Sequence, residues 1–137
     1  MPYLVDSDLV IDHLAGEPQA VKLFAELVQD GIAVSIITYM EVLQGTLREP
    51  DPNAAQAKLD TFLQAAPVLP FSRSVAKRCA SLRETLKRQK KRVRARALDL
   101  ITAATALEYN LTLVTRNIED YDDIPDLKLY QPRPPTN

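Results

Sequence analysis

Short apolar runs alternate along this chain with longer segments of helical periodicity, and that alternation constrains the fold more than any other feature. The runs are Tyr3-Leu-Val, Ile32-Ala-Val-Ser-Ile, Val68-Leu-Pro-Phe, Thr112-Leu-Val-Thr and Leu127-Lys-Leu-Tyr. Unbroken apolar character over so few residues marks strands buried on both faces, as in a parallel sheet covered by helices. Pro67 and Pro70 place the third run at a sheet edge, because proline cannot donate to a central ladder. Leu127 to Tyr130 reads as a last edge strand.

The intervening segments read as helices. Asp8 is expected to cap the first, with Leu9, Val10, Ile11 and Leu14 as its apolar residues and Gly16 as its stop. Pro18 opens the second, where Val21, Phe24, Leu27 and Val28 recur at helical spacing. Thr38 with Glu41 reads as a capping box. Asn53 is expected to cap an alanine-rich helix running to about Gln64. A basic helix follows from about Ser74 to Lys90, and then one from Ala97 to Tyr109. In the latter Leu98, Ile101, Thr105 and Leu107 are expected to pack, with Asp99 in the first turn. Asn117 starts a helical turn that Pro125 closes. Strands alternating with helices predict a three-layer α/β/α sandwich around a central, mostly parallel sheet. One domain over residues 1–131 and a loose tail at 132–137 are expected.

Composition removes several classes of function. With one cysteine, Cys79, and one histidine, His13, the chain has neither an intrachain disulfide nor a Cys/His zinc cluster. Cys79 lies among Val75, Ala76, Ala80 and Leu82 and reads as a core residue, while His13 has no evident partner for base catalysis. The start of the chain lacks the pattern of a signal peptide, and no apolar stretch reaches membrane-spanning length. A cytoplasmic protein is expected. The net charge of −1 hides an asymmetry: Arg73 to Arg96 carries eleven Lys/Arg and one acid, whereas Asn117 to Asp126 carries five acids and no base.

The chemistry-bearing residues stand where apolar runs meet helices. Asp6 closes the first run, Glu41 follows the second, Asp99 begins the Ala97 helix, and Asn117 and Asp120 follow the Thr112 run. Singly, each has an ordinary explanation as a turn residue, cap or helix-dipole partner, worth a few tenths to about 1 kcal/mol. Together they suggest something else, because ligands of parallel sheets gather beyond the C-terminal strand ends. Carboxylates brought together there repel unless a divalent cation neutralises them, which points to Mg²⁺ or Mn²⁺.

The motifs resemble those of PIN-domain ribonucleases, most closely the VapC-type toxins of toxin–antitoxin pairs. The matching stretches are Leu4-Val-Asp-Ser-Asp-Leu-Val-Ile-Asp, Ser35-Ile-Ile-Thr-Tyr-Met-Glu-Val-Leu-Gln-Gly, the block from Ala97 through Thr115-Arg-Asn117, and Asp120-Tyr. The resemblance implies that Asp6, Glu41 and Asp99 bind the metal, with Asp120 as a further acid. Asn117 stands where a fourth acid is usual, and Asp6-Ser7-Asp8 replaces the usual Asp-Thr-Asn. It also implies hydrolysis of an RNA phosphodiester without a side-chain nucleophile. Ser7, Thr115 and Asn117 would orient water or phosphate, with Arg116 and Tyr39 as candidate substrate contacts.

Lys87, Lys90 and Lys91 of the basic tract suit phosphate tracking, since no aromatic residue is interleaved for base stacking. The same surface could take an acidic antitoxin segment. A homodimer is implied too, with the helices at Val21–Val28 and Ala54–Leu63 as candidate contacts. The alternatives are a PIN nuclease of RNA processing without an antitoxin and a weakly catalytic metal- and nucleic-acid-binding module. A phospho-acceptor signalling domain is disfavoured: it expects an acid pair after the first strand and a lysine after a late one, where only Arg116 is found.

Overall fold

The computed structural model describes residues 2–131, so the expected tail at 132–137 lies outside the described residues. The first run forms β1 (Tyr3–Val5) and passes directly into α1 (Ser7–Leu14). Asp6, not Asp8, caps that helix: its backbone is extended and its carboxylate accepts from the Ser7 amide, while Asp8 already lies in the first turn. Gly16, at φ +79°, supplies the left-handed turn into α2 (Pro18–Leu27).

The second run forms β2 (Ile32–Ser35), followed by α3 (Ile36–Thr46). Here the cap is Ser35, whose hydroxyl accepts from the Thr38 amide at 3.1 Å. Thr38 is therefore inside the helix, and Glu41 stands in its second turn rather than completing a capping box. In α4 (Pro52–Leu63) the cap moves likewise from Asn53 to Asp51, because Pro52 takes the first helical position. The remaining elements are β3 (Val68–Leu69), α5 (Arg73–Arg88), α6 (Ala97–Glu108), β4 (Thr112–Val114) and β5 (Lys128–Leu129). Single 3₁₀ turns occupy Arg94–Arg96 and Ile118–Asp120.

All five strands are parallel, in the order β3-β2-β1-β4-β5, with β3 and β5 at the edges as expected. Helices cover both faces, giving the α/β/α sandwich. Leu4 and Leu113 enter one core with Val75, Cys79, Leu82 and Leu86 of α5 and Leu100, Ala103 and Ala104 of α6. Val5 and Val114 enter the other with Leu9, Val10, Phe24, Leu27, Val42 and Leu59 of α1 to α4. Neighbouring strand residues thus feed opposite cores, which is why the runs are apolar without a break.

Two packing expectations change. Leu98 is 44% exposed, because α6 packs instead through Leu100 and its small residues Thr102 to Ala106. The apolar side chains of α4 turn inward: Leu59 is buried, and Phe62 and Leu63 pack on the α1–α4 core. Val21 of α2 and Val28, which caps its end, remain exposed. His13 packs against Phe24 and Phe62, with ring centroids at 4.5 and 5.5 Å, so the histidine serves the core.

Candidate active site

The sheet order reverses between β1 and β4, and such a switch point opens a crevice at the C-terminal strand ends. β1 and β4 pair in register through Val5 and Val114, which sets Asp6 beside Thr115. The Asp6 amide donates to the Val114 carbonyl at 2.9 Å. Asp6 is only 6% exposed, and its carboxylate is fixed from two sides, by the Ser7 amide at 2.9 Å and the Thr115 hydroxyl at 2.8 Å. The Thr115 oxygen in turn accepts from the Asn117 amide, and the Asn117 side-chain Nδ2 donates to Asp8 at 3.3 Å. Two separate sequence islands thereby form one network.

The other two acids come from α3 and α6, which are tied together by a 3.2 Å hydroxyl contact between Ser35 and Thr102. Asp99 accepts from the hydroxyl of buried Tyr121 at 3.2 Å. Burial is the main cause holding Asp6, Glu41 and Asp99 above the usual carboxylate range, and mutual repulsion adds to it. Glu41 feels Asp6, Asp99 and Asp8, although the Ser7 hydroxyl offsets part of the effect. Asp6 feels Asp99, and Asp99 feels Asp120. The Tyr121 phenol is pushed far up by burial and then by the charges of Asp6, Asp99 and Glu41. It is therefore a fixed donor. The acids share one electrostatic field.

Among the described residues, no three Asp, Glu, His or Cys side chains close around a single point as a ready-made metal cage. Mg²⁺ does not need one, since it commonly takes one or two carboxylates and keeps several waters. The donor set is all oxygen, desolvated and mutually repelling, which fits a hard divalent cation.

The basic and acidic segments meet beside these acids. Arg96, the last residue of the basic tract, is buried. Its guanidinium donates to both carboxylate oxygens of Asp123 at 2.7 and 2.8 Å and to the Asp120 and Arg92 carbonyls. Arg92 pairs with Asp120 at 3.4 Å. Arg116 is drawn to Asp12 and Glu17 at the α1–α2 end and borders a cavity of about 400 Å³ that none of the acids line. Tyr39 packs on the α1–α4 core. Lys87, Lys90 and Lys91 are exposed, with the Lys91 ammonium 3.5 Å from the Asp123 carbonyl. Arg92 and the Arg96–Asp123 pair had no individual sequence signal beyond lying in runs of charge, and Tyr121 had only its place in Asp120-Tyr.

The PIN domain profile matches residues 3–127. This chain belongs to the PIN-domain family of nucleases. Ribonuclease VapC19 of Mycobacterium tuberculosis is 31% identical over 127 residues, covering 91% of this chain and 96% of the relative. Ribonuclease VapC2 of Rickettsia felis is 30% identical over 131 residues, covering 94% and 96%. In structure, this PIN domain is similar to VapBC2 from Rickettsia felis bound to a promoter DNA fragment. The TM-score is 0.83 at 26% identity, over 95% of this chain and 98% of that one. FitAcB from Neisseria gonorrhoeae gives 0.82 at 25% identity, over 96% and 97%.

Proposed function

We propose that this chain is a divalent-cation-dependent endoribonuclease and the toxin of a toxin–antitoxin pair. What supports the reading is the place of Asp6 at the switch point of a PIN-domain sheet, with Glu41 and Asp99 near enough for the acids to raise one another's proton affinity. Asp6, Glu41, Asp99 and Asp120 would hold Mg²⁺ or Mn²⁺, directly or through water. The bound cation supplies Lewis acidity, lowering the pKa of water and stabilising charge on the scissile phosphate.

The chain's own groups set the geometry. The Ser7 amide and Thr115 hydroxyl fix the rotation of Asp6, and the Tyr121 hydroxyl fixes that of Asp99. Water attacks phosphorus and the bond to the leaving ribose oxygen breaks, the hydroxyl staying on phosphorus and the water's proton ending on that oxygen by way of solvent, with no covalent intermediate on the protein. Asn117 holds Asp8 and the Thr115 turn, adding no charge to the site. Lys87, Lys90 and Lys91 meet RNA phosphates outside the reacting centre. Arg96 is withdrawn from that surface by its ion pair with Asp123.

An antitoxin partner is supported by the solved relatives: VapBC-5 of Mycobacterium tuberculosis is a member of the VapBC family of toxin–antitoxin systems, and a relative from Klebsiella pneumoniae is a toxin–antitoxin complex. We extend the proposal to a single-domain homodimer acting in the cytoplasm, using the exposed Val21 and Val28 face of α2. No helix among the described residues is long and apolar enough to cross a membrane.

A weakly catalytic binding module is the second reading, favoured by the neutral Asn117 with its amide committed to Asp8. A cleavage assay on RNA with Mg²⁺, Mn²⁺ or EDTA decides between them. Cleavage that needs the cation supports the nuclease, whereas RNA retention without cleavage supports the module. Co-expression with a small antitoxin-like reading frame, if one lies beside the gene, tests the partner, which should suppress cleavage.

A further inference from the structure

We propose that Arg92 is a catalytic residue of this nuclease: its guanidinium, resting on Asp120, is the basic group that meets the scissile phosphate. The inference rests on the ribonuclease reading and adds a residue to it. A positive side chain aimed at the charge that grows on the phosphate adds to what the metal would supply there. The basic tract holds eleven such groups; the fold commits three of them, and Arg116 beyond the tract, to other partners, while Arg83 and Arg94 stay exposed. Arg96 is buried with its donors on Asp123, Asp120 and the Arg92 carbonyl. Arg116 is held by Asp12 and Glu17. Arg78 and Arg88 pair with Glu108 and Glu84 on the outer surface.

Arg92 differs in combining a fixed root with an exposed tip. Its carbonyl accepts from the buried Arg96 Nε at 2.7 Å, which anchors the backbone. Its side chain is 62% exposed and reaches Asp120 through Nη2 at 3.4 Å. An ion pair so open to water is weak, and a phosphate can replace the carboxylate. Asp120 is a neighbour of Asp99 in the acid cluster, and Arg92 is also near enough to Asp99 to oppose the effect of burial on it. The planar fork of a guanidinium matches two phosphate oxygens, which a lysine ammonium cannot do. Arg92 transfers no proton and forms no bond. It remains a cation throughout and stabilises the negative charge that develops as water adds and the ribose oxygen leaves.

The test compares wild type, Arg92→Gln, Arg92→Lys and the combined Lys87→Gln, Lys90→Gln, Lys91→Gln variant on a single-stranded oligoribonucleotide. For each, kcat and KM are measured with Mn²⁺, together with Mn²⁺ affinity and the melting temperature. Arg92→Gln should lower kcat by about a hundredfold. Its melting temperature and Mn²⁺ affinity should match wild type, and Arg92→Lys should restore part of the rate. The lysine variant should act chiefly on KM. An Arg92→Gln protein as active as wild type, or one that binds Mn²⁺ more tightly and cuts faster, would show that Arg92 only balances the charge of Asp120. A change confined to KM would make it one more tracking residue and overturn the proposal. A wild-type protein that cuts no RNA with any divalent cation would overturn the ribonuclease reading and this inference with it.

Discussion

Burial raises the proton affinity of Asp6, Glu41 and Asp99, and the charge of each neighbour raises it further. Between the ordinary carboxylate range and these raised values, the folded protein holds more protons than the unfolded chain. Without a cation, stability therefore falls as pH rises through that window and recovers as pH is lowered. Asp6→Asn and Asp99→Asn should each raise the melting temperature in EDTA by a few degrees. Asparagine caps α1 as well as aspartate does and removes a repelling charge. The same variants should lose the stabilisation that Mn²⁺ gives wild type, so an unchanged Mn²⁺ shift on differential scanning would reject them as ligands. Asn117→Asp adds a carboxylate beside Asp8 and should lower the Mg²⁺ needed for half-maximal cleavage; coincident titrations would limit Asn117 to its present hydrogen bonds. The three acids stand out in the sequence because each interrupts an apolar pattern, Asp6 and Asp99 at element boundaries and Glu41 in the second turn of α3. The role of Tyr121 was not legible, since the sequence marks it only within Asp120-Tyr and its contact with Asp99 spans two elements.

At the scale of elements, the connection before α6 is clamped to the one after β4 by Arg96 and Asp123, whose side chains are 2% and 27% exposed. Removing Asp123 strands a buried guanidinium, whereas removing Arg96 leaves a carboxylate that water can reach. Asp123→Ala should thus cost roughly 3 kcal/mol or more, and Arg96→Met clearly less, in urea unfolding. Equal costs would contradict the burial argument. The ion pair holds Asp123 below the usual carboxylate range, so its contribution is present above that range. It is lost as pH falls through the depressed value, opposite in sign to the site acids. Neutralising Lys87, Lys90 and Lys91 together should reduce the salt slope of RNA binding by about 0.7 for every phosphate these lysines neutralise. An unchanged slope would remove them from the RNA surface. Sequence placed the helices well but misplaced three caps, because Ser35, Asp6 and Asp51 compete with Thr38, Asp8 and Asn53 within a few residues. Backbone conformation at the strand exits decides that competition. Likewise, the eleven basic residues of the tract look alike in sequence, and only folding sends Arg96 inward.

For the whole molecule, the parallel order β3-β2-β1-β4-β5 explains how acids more than ninety residues apart reach one edge, with Asp6 and Asp99 carried there by β1 and α6. Continuous apolar strands made that architecture readable, and the position of the crevice follows from the switch in strand order. Which faces stay open did not follow from periodicity, since α4 turns its apolar side inward while Val21 of α2 and Val28 at its end face out. A dimer built on α2 should dissociate when Val21 and Val28 are both changed to lysine, as read by sedimentation; a persistent dimer would move the interface elsewhere. The most direct test of the central claim is RNA cleavage by wild type, Asp6→Asn and Asp99→Asn, each with Mn²⁺ and with EDTA. Cleavage by wild type with Mn²⁺ alone, and by neither variant while both remain folded, is the expected result. Undiminished cleavage by either variant, or cleavage by wild type in EDTA, would contradict it.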